Sequence, residues 1–219
     1  MTPLDTLPAQ LYLLAYDPGR QRLSCRSQLG YVLRAAVLAE LQLRGLLTDR
    51  GGKPVATSGT AAAGLDPLHQ RVLAELAHSK PRRWTHWVNK NATTTRRAVE
   101  DALASDGTVR ITRGRRLGLL PVSRISLTDP RVRTEVEAVL RETVRGCRPA
   151  ARVAPRAAAL VALAAAGDLR IVLPRSMRRA HKERIKDLST LAGAPVAALR
   201  QTLAEIANSG GYVAAAGAF

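Results

Sequence analysis

The segment Leu29 to Gly45, reading LGYVLRAAVLAELQLRG, puts apolar residues on almost every face of a helix. Leu29, Leu33, Val37 and Leu41 form one row at helical spacing, and Val32, Ala36 and Leu43 fill the rows beside it, so little surface remains for water. The pattern predicts a buried central helix. Arg34 and Glu40 stand inside it, and burying an unpaired charge costs several kcal/mol, so Arg34 must be paired or must reach an anion.

Ahead of this helix, the apolar run Leu11 to Tyr16 closes on the turn Asp17-Pro18-Gly19-Arg20, and Arg22 to Cys25 reads as a short extended piece. Behind it, Gly51 to Gly64 is rich in Gly, Thr, Ser and Ala and reads as a surface loop. Asp66 then caps a predicted helix carrying Leu68, Val72, Leu73 and Leu76, and a second helical piece holds Trp84, Trp87 and Val88. Thr93 to Thr95 offer caps for a third, with Ala98, Val99, Ala102 and Leu103 inward and Gly107 at its end. Thr108 to Thr112 and Leu119 to Leu127 read as two strands around Arg113-Gly114-Arg115-Arg116, a basic hairpin. Further helices are predicted over Val132 to Val144, Ala151 to Ala166, Ser176 to Leu188 and Pro195 to Ala207, the last with Val196, Leu199, Leu203 and Ile206 as its core stripe. No internal repeat is visible. The expected architecture is mainly α: one compact helical domain over residues 1–219, with a buried central helix and a basic β-hairpin.

Composition agrees with that picture, since 219 residues with 46% hydrophobic content can bury a sizeable core. The longest apolar run, Ala157 to Ala166, falls short of the roughly 18 to 20 residues that span a bilayer. The start of the sequence lacks the basic and apolar segments of a secretory signal, which predicts a cytoplasmic protein. Cys25 and Cys147 lack close metal-type partners, as do His69, His78, His86 and His181. No nucleophile elbow, phosphate loop or dinucleotide fingerprint occurs, and Glu100, Asp101 and Asp106 read as solvated acids. No enzymatic activity, cofactor or metal is expected.

Charge adds a partner class. A net +17 concentrates polyanions and favours nucleic acid or an anionic membrane surface. Only five of the 34 basic residues are lysine, a bias that accompanies abundant alanine and that a GC-rich bacterial genome can produce. Arg96 and Arg97 stand in the first turn of the helix after Thr93-Thr94-Thr95, where free backbone N–H groups can meet a phosphate. Arg175, Arg178, Arg179, Lys182 and Lys186 recur at helical spacing and predict a basic stripe, each contact being worth about 1 kcal/mol near an anionic leaflet.

The opening Leu7-Pro8-Ala9-Gln10-Leu11-Tyr12-Leu13-Leu14 and the later Gly30-Tyr31-Val32-Leu33-Arg34-Ala35-Ala36-Val37-Leu38-Ala39-Glu40-Leu41-Gln42-Leu43-Arg44-Gly45-Leu46-Leu47 resemble, in that order, the start of the Golgi phosphoprotein (GPP34-type) family. The likeness extends more loosely over nearly the whole chain. Eukaryotic members are peripheral membrane proteins that bind phosphatidylinositol 4-phosphate. The resemblance implies a head-group pocket made by a tryptophan, an arginine on the central helix and two arginines spaced RxxR on a later helix. Arg34 falls on the helix arginine, Cys25 on the tryptophan, and, anchored on Gly107, Arg96 and Thr93 fall on the later pair. Thr93 brings a hydroxyl where the family has a guanidinium, and Cys25 lacks an indole face, so anion binding is expected while selectivity for that lipid is left open. The resemblance also implies peripheral membrane association and homo-oligomer formation through the hairpin carrying Arg113, Arg115 and Arg116.

Two other readings stand beside it. Three helices followed by a basic hairpin match the order of a winged helix, in which Thr94, Arg96 and Arg97 approach a nucleic-acid groove and Arg113, Arg115 and Arg116 touch phosphates. Alternatively the chain is a helical adaptor without a ligand, in which Arg34 pairs internally. Glu40, six positions on, lies on nearly the opposite face of the same helix, so such a partner has to come from another element.

Overall fold

After a 3-10 turn at Pro3–Asp5, the Thr6 hydroxyl accepts the amide of Ala9 at 3.3 Å and caps helix α1 (Leu7–Ala15), whose first turn carries Pro8. In this computed structural model, which describes residues 3–57, 64–116 and 120–216, α1 runs into an antiparallel hairpin of β1 (Tyr16–Asp17) and β2 (Arg22–Leu23). Helix α2 (Arg26–Leu43) follows, and every residue from Val32 to Leu41 is buried, as its all-round apolar pattern predicts, whereas Leu43, expected in the same rows, is exposed in the last turn. A second hairpin pairs β3 (Leu47–Asp49) with β4 (Pro54–Ala56). Three helices come next: α3 (Pro67–Ala77), capped by Asp66, then α4 (Trp84–Asn89) and α5 (Ala92–Ser105). The longest hairpin joins β5 (Val109–Arg116) to β6 (Leu120–Leu127), with Ile111 opposite Ile125. The chain then continues through α6 (Pro130–Arg145), α7 (Pro155–Ala166), α8 (Arg175–Ala180), α9 (Lys182–Leu191) and α10 (Ala194–Ala216). The fold is mainly α, with only two-stranded sheets among the described residues.

Helix α2 is the axis of the packing. α1, α3, α4, α5, α7 and α10 all rest on it, and one apolar cluster extends from Leu7 to Leu199. Small residues allow the closest approaches. A Cβ on Gly30 would stand 2.6 Å from the Ala92 carbonyl oxygen, so α2 and the first turn of α5 meet only because that position is glycine. A Cβ on Gly167 would similarly strike Val32 of α2 at 2.4 Å, and α7 buries every residue from Ala158 to Ala165.

Both charges inside α2 are met by the protein. The Arg34 guanidinium donates from Nη2 to Glu75 Oε2 at 2.7 Å and from Nε to the Trp87 carbonyl at 3.1 Å, so α3 and α4 are tied to the central helix through it. Glu40, fully buried, accepts the Leu7 amide at 2.7 Å, Arg44 at 3.0 Å and Arg156 at 3.1 Å. His69 completes this cluster, with Nδ1 2.6 Å from Asp66 and Nε2 3.6 Å from Glu40. Burial works against the charged forms of Glu40 and His69, and their mutual proximity together with Arg156 and Asp66 overrides it: the Glu40 carboxyl is held at about 2 and the His69 ring titrates above its ordinary value.

Several expected boundaries move. Gly51 and Gly52 adopt φ of 60° and 77° and form the turn of β3–β4, so the first part of the expected loop is a hairpin; residues 58–63 lie outside the described ones. α5 starts at Ala92 after a left-handed Asn91 (φ 58°), which places Thr93 to Thr95 inside the helix instead of capping it, with Thr95 buried. The helix expected over Ser176 to Leu188 breaks at His181, where φ is −117° and ψ 30°, so the basic stripe is divided between α8 and α9. α7 begins at Pro155, after a short 3-10 turn at Ala150–Arg152. The arginines expected at the tip of the basic hairpin belong to strand β5, where Arg113 is opposite Ser123 and Arg116 opposite Leu120; the side chains of Arg113, Arg115 and Arg116 lie outside the described residues.

Candidate anion-binding cleft

The β1–β2 hairpin, the start of α2, one face of α5 and the β5–β6 hairpin enclose a cleft of about 730 Å³. Local geometry makes it. Gln21, at φ 49°, helps turn the first hairpin and offers its carbonyl to the Ile125 amide at 3.1 Å, so β2 lies beside β6. Cys25, at φ 50°, turns the chain from β2 into α2, which points Arg26 at the same opening. The Gly30–Ala92 approach then brings Arg96 and Arg97 of α5 to the opposite wall.

Five arginines (Arg20, Arg22, Arg26, Arg96 and Arg97) face three carboxylates (Asp17, Glu100 and Asp101) across this cleft, which leaves a positive excess. Pairing uses part of it. Arg96 donates to Glu100 at 2.6 Å, and Glu100 also accepts the fully buried Tyr12 hydroxyl at 3.1 Å. Burial and the neighbouring Glu100 push the Tyr12 phenol upward, so it acts as a donor that keeps the Glu100 carboxylate in place. Arg20 stands 3.8 Å from Asp17. Arg22, Arg26 and Arg97 form no ion pair with a described carboxylate, and all three are exposed. Three solvated guanidiniums around one opening have the chemistry to meet a small polyanion, because each can present two parallel donors to phosphate oxygens. Cys25 is a different kind of wall: its thiol donates to the Asp168 carbonyl at 3.3 Å, and burial followed by the charge of Asp168 raises its pKa, which disfavours the reactive thiolate.

Of the residues singled out in the sequence, Cys25, Arg96 and Arg97 meet in this cleft. Thr93 is exposed in the first turn of α5 and is not part of its lining. Arg34 is not on its walls either; it is 1% exposed and engaged by Glu75 and Trp87. Arg20, Arg22 and Arg26 were missed by reasoning from the sequence. Their signal was the Asp17-Pro18-Gly19-Arg20 turn, which folds Arg22 of β2 back opposite Asp17 of β1. In the divided stripe, Arg175, Arg179, Lys182 and Lys186 are exposed, while Arg178 forms an ion pair with Asp168. Among the described residues no group of three or more His, Cys, Asp or Glu side chains is placed to hold a metal ion.

A family model described as Golgi phosphoprotein 3 (GPP34) matches residues 7–206. Comparison with curated proteins gives no match.

Proposed function

From the premise that the chain belongs to the Golgi phosphoprotein 3 (GPP34) family, we propose that it associates peripherally with a membrane by taking an anionic lipid head group, a phosphoinositide-like phosphate, into the cleft between α2 and α5. The observation that carries this reading is the convergence of Arg22, Arg26 and Arg97, none paired with a described carboxylate, on one opening whose 730 Å³ suits a small molecule. Arg96 is a fourth cation, oriented by Glu100. In this reading Arg34 anchors α3 and α4 to α2 and takes no part in the contact. The exposed bases of α8 and α9 add a weaker, salt-sensitive attraction to the leaflet. Among the described residues no helix is long and apolar enough to cross a membrane, which accords with attachment from one side.

The same geometry weighs against α5 serving as a groove-reading helix. Its Arg96 and Arg97 face a confined cleft bounded by Arg20, Ser24 and Ile125, whereas a recognition helix needs an open face for a duplex. Co-sedimentation with vesicles tests the proposal. Vesicles containing a phosphomonoester lipid are expected to retain the protein and neutral vesicles to release it, with retention lost in Arg26→Ala/Arg97→Ala. Equal retention of that variant, or displacement of the protein from the vesicles by duplex DNA at matched charge, would contradict it.

A further inference from the structure

Helix α5 separates two cavities. On its surface Arg96 and Glu100 form one i,i+4 row toward the arginine cleft, Arg97 and Asp101 form the next, and Ala98 and Ala102 form a third. The third row faces a groove of about 510 Å³ between the starts of α1 and α3. Arg97 and Asp101 line both spaces, so the groove begins where the cleft ends.

The groove is chemically unlike its neighbour. Its walls are mostly aliphatic: Pro8 and Ala9 from α1, Leu68 from α3, and Ala98, Val99 and Leu103 from α5. His69 also borders it, but its Nδ1 is held by Asp66 and its Nε2 is buried, 3.6 Å from Glu40, so the ring presents no exposed donor to a polar ligand. The small side chains of Ala98 and Ala102 leave the space open, and an apolar space of this size gains most from an apolar occupant. Arg97 borders both spaces, and an arginine can lay its aliphatic stem along an apolar wall while its guanidinium serves an anion.

We propose that the groove holds an acyl chain of the same anionic lipid whose head group occupies the cleft, so that the protein binds an amphiphile and not a head group alone. This inference rests on the head-group reading above. A phosphorylated head and a hydrocarbon chain are joined in one molecule in the same order as the two cavities are joined on α5.

The test is calorimetric titration of the full chain with dibutanoyl and dioctanoyl phosphatidylinositol 4-phosphate, both kept monomeric. Removing a methylene from water raises affinity by about fourfold, so the four extra methylenes of one octanoyl chain are worth up to about 250-fold, and burial of even two of them makes the octanoyl lipid bind more than about tenfold tighter. Ala98→Phe and Ala102→Phe, which fill the groove from the helix surface, are each expected to abolish that gain while leaving the butanoyl affinity unchanged. Equal affinity of the two lipids for the unaltered protein overturns the chain proposal and leaves the head-group reading standing. Failure of both lipids to bind overturns both. A gain that persists in both phenylalanine variants overturns the assignment to this groove.

Discussion

Replacing Arg34 by alanine removes the guanidinium of a side chain that is 2% exposed and leaves the Glu75 side chain, 22% exposed, without its 2.7 Å partner. The Trp87 carbonyl, 3.1 Å away, also loses its donor. Breaking a buried pair from one side costs about 3 to 5 kcal/mol, and the partial exposure of Glu75 puts this site near the lower end, about 3 kcal/mol. That is a large part of the roughly 5 to 15 kcal/mol that stabilises a domain. With a urea dependence of about 3 kcal/mol per molar, the unfolding midpoint read by circular dichroism is expected to fall by about 1 M. Arg34→Met/Glu75→Leu removes both charges and is expected to recover about 1 to 2 kcal/mol of the loss, the remainder being the unpaired Trp87 carbonyl. Folded Arg34→Ala protein should still bind a soluble inositol phosphate. An unchanged midpoint, or a well-folded Arg34→Ala protein that no longer binds phosphate, would refute the reasoning and return Arg34 to the ligand site.

Other outcomes follow from the same geometry. The Glu40 carboxyl, raised by burial but lowered more by His69, Arg156 and the Leu7 amide, is held at about 2 against an ordinary 4.5, so its contribution is complete above pH 4.5 and lost toward pH 2. His69, lowered by burial but raised more by Asp66 and Glu40, titrates above its ordinary 6.5, so its contribution is complete below that pH and lost on the alkaline side. The melting temperature is therefore expected to be highest between pH 4.5 and 6.5, with the alkaline decline flattened in His69→Gln; an unaltered decline would reject the assignment. Gly30→Ala forces a methyl group to 2.6 Å from a backbone oxygen, and a loss of about 1 to 3 kcal/mol together with weaker phosphate binding is expected as α5 shifts. In mass-spectrometric alkylation the exposed Cys147 should react well before the half-buried Cys25, and an inositol phosphate should slow Cys25 further; ligand-independent labelling of Cys25 would argue against occupancy of the cleft. Arg179→Ala/Lys182→Ala should weaken vesicle retention by about 1 kcal/mol per charge at low salt without changing affinity for the soluble head group.

The central helix was legible because burial on all sides leaves a pattern that no surface helix has, and α3 and α4 followed from their apolar spacing; α10 was legible at its start, where Val196 and Leu199 are buried, but Ile206 of the expected stripe is exposed and the helix continues past Ala207 to Ala216. The fate of Arg34 was not legible. The sequence required a partner and excluded Glu40, but the partner, Glu75, is 41 residues away on another helix, and only the packing of α3 against α2 brings it close. The cleft was half legible for a related reason. Arg96 and Arg97 share one helix, while Arg20, Arg22 and Arg26 reach them through a turn at Gln21 and a left-handed Cys25, conformations that those residue types do not announce. The break at His181 carries no glycine or proline signal, so one helix was expected where two occur. At Gly51-Gly52 the glycine pair signals a tight turn, but the Gly-, Ser-, Thr- and Ala-rich composition that continues to Gly64 hides the short strand β4 that follows it.

The claim on which the account depends is the location of the anion. A crystal of the protein soaked with an inositol phosphate answers it directly through the difference density. Phosphate density between Arg22, Arg26 and Arg97, with Arg34 still bonded to Glu75, is the expected result. Phosphate density beside a released Arg34, or only along the exposed bases of α8 and α9, would contradict it.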